Sequence, residues 1–366
     1  MRLVLQMFVA SVLLMLVGCA STQYLWQATT GHIKVLANAR EIDEVLRDPD
    51  VSDRLREQLT HAQAIRRFSV EVLKLPPNQS YTQYSDVGRP FVVWNVVVSE
   101  PDDIRLRQWC FPFTGCISYK GFYREQDAHA EAMQWRSMGK DVAVLGVPAY
   151  STLGFTPDPV LSTFVYYPAG ELARLIFHEL AHQVVYIEDD TQFNESFASA
   201  VEVLGVEAWL NEPGRDELAR QYRTFDDRRV AFRALLAKAR ADLLNVYSDQ
   251  AGSPLDRLSY KEKRLEKLQA DYEALKTSWG GWSGYDRFMS EDLNNAKLGV
   301  AGLYEDYVPA FKVLFERCGS SFPAFYNAVE RLGDLPVSQR QDVMEKLGNG
   351  SSSTPMPFCE AAELSG

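Results

Sequence analysis

His178, Glu179 and His182, in the stretch "LIFHELAHQVVY", have the residue types and the spacing for metal chemistry. Side chains at i and i+4 of an α-helix share a face about 6 Å apart, so two imidazoles can turn toward one ion. Glu179 is rotated about 100° from His178. Its carboxylate therefore stands beside such an ion rather than on it, where a base for an activated water belongs. The competing reading is an ordinary buried helix. A core helix usually carries one histidine with its partners satisfied; two of the chain's five histidines flanking a glutamate are the unusual case.

A catalytic zinc takes three protein ligands and keeps one position for water, so the pair is one ligand short. No histidine follows His182. The candidate for the third ligand is Glu195 in "NESFASAVE", at the start of the next helical pattern. Glu202 lies two turns further along the same face, placed to accept the hydrogen bond from a ligand histidine's other nitrogen and fix its orientation. Asn194 is the neighbouring candidate for such a supporting role.

Leu172, Leu175, Ile176, Leu180, Val184 and Val185 make the rest of the motif helix apolar, which buries it and leaves the polar trio facing a cleft. Pro168 marks its start. Before it come helical patterns over "HIKVLANAREIDEVLRD" and "SDRLREQLTHAQAIRRFSVEVLKL", the second capped by Ser52 and Asp53. Strand-like runs follow in "FVVWNVVV", "GCISYKGFY", "DVAVLGVPAYSTLGF" and "PVLSTFVYYP". After the motif the chain reads as helical. Two long charged stretches near 214–247 and 255–278 have alternating signs at helical spacing, as the solvated faces of a helical pair do. The sequence predicts an α+β fold. Residues 1–18 are a leader, 19–210 hold the N-terminal helices, sheet and metal-binding core, and 211–366 form a mainly helical region that completes the cleft.

A formal charge of −11 with no basic run argues against a nucleic-acid partner, which requires a concentrated cationic face. Arg2, the 16-residue stretch "LVLQMFVASVLLMLVG" and then Cys19 read as an export signal. "LVGC" resembles the lipobox of bacterial lipoproteins, which implies a lipidated Cys19 as the first residue of the exported chain. A membrane-spanning helix is the alternative, but the stretch is shorter than the usual ~20 residues. The expected address is the bacterial cell envelope, at the outer membrane facing the periplasm, with the lipid anchor as the membrane contact. Cys110, Cys116, Cys318 and Cys359 would then meet an oxidising compartment. Cys110 with Cys116 closes a local loop, leaving Cys318 with Cys359 to pin the tail; buried free thiols are the alternative.

"HELAHQ" followed by "NESFASAVE" resembles the gluzincin metallopeptidases, in particular the membrane alanyl aminopeptidases. From the lipobox through "GRPFVVWNV", "VPAYSTLGF", "LARLIFHELAHQVVY" and "YEDYVPAF", the chain is similar to a bacterial family of predicted lipoprotein aminopeptidases. The resemblance implies a zincin-like core: a small mixed sheet, an active-site helix and a glutamate helix, with N-terminal and C-terminal helical additions. It implies one zinc ion held by His178, His182 and Glu195, Glu179 as general base, and a peptide substrate. Where related enzymes use a further donor for the oxyanion, Tyr307 or Tyr304 in "YEDYVPAF" are the candidates, with helix packing as their alternative role. The run "VLSTFVYYP" resembles the edge strand that aligns a peptide, with Tyr166 and Tyr167 lining the groove.

Two departures qualify the resemblance. The segment between His182 and Glu195 is shorter than in the alanyl aminopeptidases, and the Gly-x-Met-Glu-Asn segment that captures the free amino group is absent. Glu188, Asp189 and Asp190 are the acidic residues placed to replace it, or a plain solvated turn. The expected activity is an aminopeptidase, with an endopeptidase at the same site or a non-catalytic lipid-anchored binding protein as alternatives.

Overall fold

The computed structural model describes residues 24–111, 115–248, 253–302 and 307–349 together with Cys359. The leader, Cys19 and Tyr304 lie outside the described residues. Residues 24–37 form α1, and the chain then runs through β1 (Ala39–Glu41), α2 (Ile42–Arg47) and α3 (Asp53–Glu71). Ser52 caps α3, its side chain accepting from the Leu55 N–H. The helical pattern expected across "HIKVLANAREIDEVLRD" is therefore broken by β1, whose residues pair with β2 (Gln83–Ser85).

The fold is α+β, and among the described residues its strands divide into three small sheets. β2 lies between β1 and β8 (Val160–Leu161), antiparallel to the first and parallel to the second. β3 (Val93–Ser99) is central in an antiparallel sheet between β6 (Lys120–Phe122) and β7 (Asp141–Val147). Trp94, Val96 and Val98 face α4 (Glu125–Ser137), and Val97 on the opposite face meets Ala296 of α10 (Asn295–Ala301). Both faces of β3 are covered, which is why its sequence is a nearly continuous apolar run rather than an alternation. β4 (Trp109–Phe111) and β5 (Gly115–Ile117) form a separate hairpin, with Cys110 directly opposite Cys116 and bonded to it.

α5 (Ala169–Ala181) and α6 (Thr191–Leu210) lie at the centre of the largest core. Leu172, Ala173, Ile176, Phe177 and Leu180 of α5 are fully buried. Gly205 sets the approach of the pair, because a Cβ there would stand 2.9 Å from the Phe177 ring and 2.8 Å from Leu73. α3 packs on α5, and α11 (Val308–Arg317), α12 (Phe322–Gly333) and α13 (Val337–Gly348) close the core beyond α6. The second disulfide, Cys318–Cys359, ties the end of α11 to the tail.

α7 (Asp216–Ser248) and α8 (Pro254–Ser278) form the long helical pair, built around its own core of Phe232, Leu236, Leu243, Leu268 and Tyr272. α9 (Asp286–Ser290) completes that core through Met289. One expectation requires correction. The strand predicted through "VLSTFVYYP" stops after Leu161, and residues 162–167 turn into α5. Phe164 and Val165 are drawn into the main core, which bends the chain away from an extended course. The groove role of Tyr166 and Tyr167 thus loses the strand on which it depended. Tyr166 instead carries the Arg54 guanidinium over its ring at 4.7 Å, and Tyr167 packs half-buried against the main core.

Candidate metal centre

α5 ends at Ala181, and His182 is its C-cap with helical backbone angles, so the i, i+4 relation to His178 holds. The two Nε2 atoms lie 3.3 Å apart. From α6, an oxygen of Glu195 approaches them at 3.3 Å from His178 and 3.8 Å from His182. One ligand atom from each of the three residues lies within 4.8 Å of the others. A tetrahedral ion with ligands at about 2.0–2.1 Å has edges of about 3.3–3.4 Å. The histidine pair and the His178–Glu195 pair match that edge, and the His182–Glu195 separation is slightly longer. Two imidazole nitrogens and one carboxylate also suit a borderline first-row dication, so the residues fit a metal.

Glu202, two turns along α6, accepts a hydrogen bond from Nδ1 of His178 at 2.9 Å. Its other oxygen accepts from Nε of Arg174 at 3.0 Å. Arg174, Glu202 and His178 thus form a buried chain leading to the ligand cluster. His182 is held differently: its Nδ1 is buried with no partner among the described residues. Asn194, the other supporting candidate, does not touch a ligand. It clasps Ile187 in the connecting loop, accepting from its N–H at 2.8 Å and donating to its carbonyl at 2.7 Å.

Electrostatics follow from this wiring. Burial opposes charge on His178, but Glu195 and Glu202 outweigh it and raise the imidazole to about 10. Burial lowers His182 to about 4, against the pull of Glu195. Glu202 resists its own burial through Arg174 and His178 and falls to about 2. Glu195 is lowered despite burial by the two histidines. Glu179 alone among these carboxyl groups is raised, to about 7, chiefly by burial. His182 is thus kept neutral and Glu195 anionic, as metal binding requires; His178 is held protonated by its two carboxylates and would release that proton to a bound ion, while Glu179 exchanges its proton near neutrality.

A loop distant in sequence supports the C-terminal end of α5. Gln183, next to His182, donates to Asp158 at 3.1 Å and to Ser80 at 3.2 Å and accepts from Asn78 at 2.7 Å. Tyr81 follows in that loop with a left-handed backbone, φ 63°, its N–H bonded to the Asp158 carbonyl. Its hydroxyl is fully buried and has no hydrogen-bond partner among the described residues. Burial raises it far above the ordinary tyrosine value, and the charges of Glu179 and Asp158 raise it further. Tyr119 and Tyr186 are raised by burial and then by the charge of Glu195. Sequence reading missed these tyrosines. Only the turn-forming "PPNQ" before Tyr81 hinted at a special backbone.

Of the predicted tyrosines, Tyr307 begins α11, and its backbone N–H reaches the Ser196 hydroxyl at 3.4 Å, one residue from Glu195. The acidic connecting loop has structural duties. Asp190 caps α6 through the Phe193 N–H and pairs with the buried Arg340 at 2.7 Å. Asp189 accepts from the Cys116 N–H at 2.6 Å, joining the loop to the β4–β5 hairpin, while Glu188 is exposed.

An α+β core holding a His-His-Glu group able to take a metal, with a half-buried glutamate beside it, has the parts of a hydrolytic metal centre. A family model described as "Putative aminopeptidase" matches residues 23–344, and the chain belongs to that family. Family and site together support a peptidase. No curated protein and no solved structure matches the chain.

Proposed function

We propose that the protein is a zinc-dependent peptide hydrolase of the gluzincin type, acting as an aminopeptidase. The observation that supports this most is the convergence of His178, His182 and Glu195 beside Glu179, with Glu202 orienting the first histidine. A zinc ion held there would supply a Lewis acid for the scissile carbonyl and lower the pKa of water. Glu179 takes the proton of the attacking water and returns it to the leaving amine. Glu202 keeps His178 Nδ1 as the donor, so that Nε2 presents its lone pair to the ligand cluster. A tyrosine hydroxyl is the natural further donor for the oxyanion, from Tyr307, Tyr304 or the buried Tyr81. An N-terminal lipid on Cys19 would hold the enzyme at the bacterial outer membrane, facing the periplasm.

Elemental analysis beside peptidase assays tests the reading on the purified chain and a Glu179→Gln variant. The expected result is about one zinc per chain in both, with cleavage lost by a factor on the order of 10²–10⁴ in the variant alone. Absence of metal from both would overturn the site. Amino-acid amides assayed against N-blocked peptides separate the two modes of cleavage. Cleavage of blocked peptides only would replace the aminopeptidase by an endopeptidase at the same residues.

A further inference from the structure

α1 is fixed to the body of the protein by one side. Tyr24 stacks on Phe111 and meets Phe122 edge-on, and Gln27 donates to the Gly121 carbonyl and accepts from the Tyr123 N–H. Gly31 permits the close approach, because a Cβ there would overlap the Tyr123 ring. Further along, His32 bonds to the Tyr150 hydroxyl at 2.7 Å and to Thr156 at 3.0 Å, and Val35 is buried. The helix therefore presents one fixed side outward.

At about 100° per residue, that outward side carries Leu25, Trp26, Thr29, Ile33, Leu36 and Ala37 and no charged residue. Trp26 is 71% exposed and Ile33 56%. A helix on the surface of a globular protein ordinarily turns its charged residues to water, as α8 does with Lys267 and Asp271. The one charged residue of α1 is Lys34, at the edge of this side, and no acidic residue precedes Glu41 although the whole chain carries −11. Tryptophan and isoleucine on an uncharged helical side suit the interfacial zone of a bilayer. A flanking lysine suits it too, since its stem lies along apolar surface while the ammonium reaches the headgroups.

The place of α1 in the chain says what covers it. The apolar run ends at Gly18, and Cys19 precedes Tyr24 by five residues, at most about 17 Å of chain. A lipid on Cys19, or the run itself kept in the bilayer, brings the membrane within reach of α1. So short a tether gives a high effective concentration, and a small apolar surface is then enough for a lasting contact.

We propose that the outward side of α1 lies on the bilayer surface, with Trp26 and Ile33 among the lipid headgroups, so that the protein is oriented there as well as tethered. The nearness of a membrane rests on the anchoring reading; the choice of α1 as the contact does not. Through His32 the helix is joined to the loop that carries Thr156 and Asp158, and Asp158 holds Gln183 at the end of α5. Docking of α1 would thus set the direction in which the metal centre faces.

The test uses the full chain in vesicles of phosphatidylethanolamine and phosphatidylglycerol, with Trp26, Ile33, Val230 or Leu255 replaced in turn by photoreactive p-benzoylphenylalanine. Val230 and Leu255 are exposed apolar residues of α7 and α8 and serve as controls. After irradiation of the floated vesicles, mass spectrometry should find lipid adducts at Trp26 and Ile33 and none at the controls. With the probe at Thr29 instead, the adduct should form in the parent and be lost when Trp26→Glu and Ile33→Glu are added, with flotation unchanged. Both side chains are exposed, so the fold does not depend on them.

Floated chain without lipid adducts at Trp26 and Ile33, or with equal adducts at all four positions, would overturn the docking and leave the anchor standing. Persistence of the Thr29 adduct in the double variant would overturn it as well. Adducts to residues 1–23 or to a second copy of the chain would overturn it in favour of those occupants. Failure to float would overturn the anchor and the docking together. A Cys19→Ala chain that still floats with the same adducts would overturn lipidation as the tether and support the contact through α1.

Discussion

The α5–α6 pair and the α7–α8 pair are both helical and both rich in charge, but the fold uses their charge in opposite ways. Between α5 and α6 the ionised groups are buried and chained, from Arg174 through Glu202 and His178 to Glu195 and His182. On the outer faces of α7 and α8 the pairs are short-range and wet, such as Arg220 with Glu217 at 62% and 63% exposure. The same side chains position a reactive site where water is excluded and little else where it is not. α7 belongs to both regimes, since its inner stripe reaches Glu171 on α5 while its outer face meets solvent.

That contact gives the largest expected effect. Arg229 donates to both oxygens of Glu171, at 2.9 and 2.8 Å, and also to Asp226 and Tyr222. Arg229→Met leaves the largely buried Glu171 without its closest cation, and Arg174 remains at 3.6 Å. Breaking a buried pair on one side costs about 3–5 kcal/mol, and the remaining arginine moves the expectation to the lower end. Urea denaturation should show that loss. A cost under about 0.5 kcal/mol, the surface value, would place the α5–α7 contact with the wet pairs.

Asp158 tests what a buried carboxylate does without a cation. Its side chain accepts only from neutral donors, the Thr152 N–H and Gln183, and burial raises it to about 6, whereas Arg174 and His178 hold Glu202 near 2. Between pH 4 and 6 the folded chain keeps a proton that the unfolded chain has released. The stabilisation from this group is therefore complete below about pH 4 and lost as pH rises through 6. In Asp158→Asn the term is absent, while the amide oxygen can still accept both hydrogen bonds. Relative to the parent, the variant should gain about 2–3 kcal/mol between pH 4 and 7.5. Denaturation midpoints at the two pH values measure it, and a constant gap would show that Asp158 ionises freely.

Glu202→Gln acts at the other end of the same comparison. The amide can still accept from His178, but it carries no charge to hold Arg174 or to strengthen the imidazole as a donor. Loss of such a supporting group costs about tenfold to hundredfold in metal affinity. Competition with a chelating dye reads that change directly. An unchanged affinity would mean that packing alone orients His178.

These contrasts follow what the sequence made legible. His178, Glu179, His182, Glu195 and Glu202 could be read because each relation is local: i, i+4 on one helix, and two turns on the next. Helical spacing then fixes geometry before any packing is known. Tyr81 could not be read, since its hydroxyl belongs to a loop about a hundred residues upstream and is placed by Gln183, Asp158 and a left-handed backbone. The inward stripe of α7, Arg229, Arg233 and Arg240, failed for a related reason. Its spacing is that of any amphipathic helix, and only the packing of α7 beside α5 and α10 decides that this face turns inward. The strand expected at residues 162–167 had β-type composition, but Phe164 and Val165 are better satisfied in the main core than in a sheet edge.

The smallest expected effect fixes the scale for the others. Lys267 and Asp271 are an i, i+4 pair on α8, 2.9 Å apart, with side chains 61% and 32% exposed. Lysine preceding the acid is the less favourable order for the helix dipole, and water screens both groups. Lys267→Ala also exchanges one good helix former for a better one. The lost ion pair, worth about 0.2–0.5 kcal/mol, and the gained propensity nearly offset each other. The unfolding midpoint should stay within error of the parent, with no dependence on salt. A destabilisation above about 1 kcal/mol would show that the outer face of the α7–α8 pair is held by charge after all, and the contrast with α5–α6 would then be one of degree.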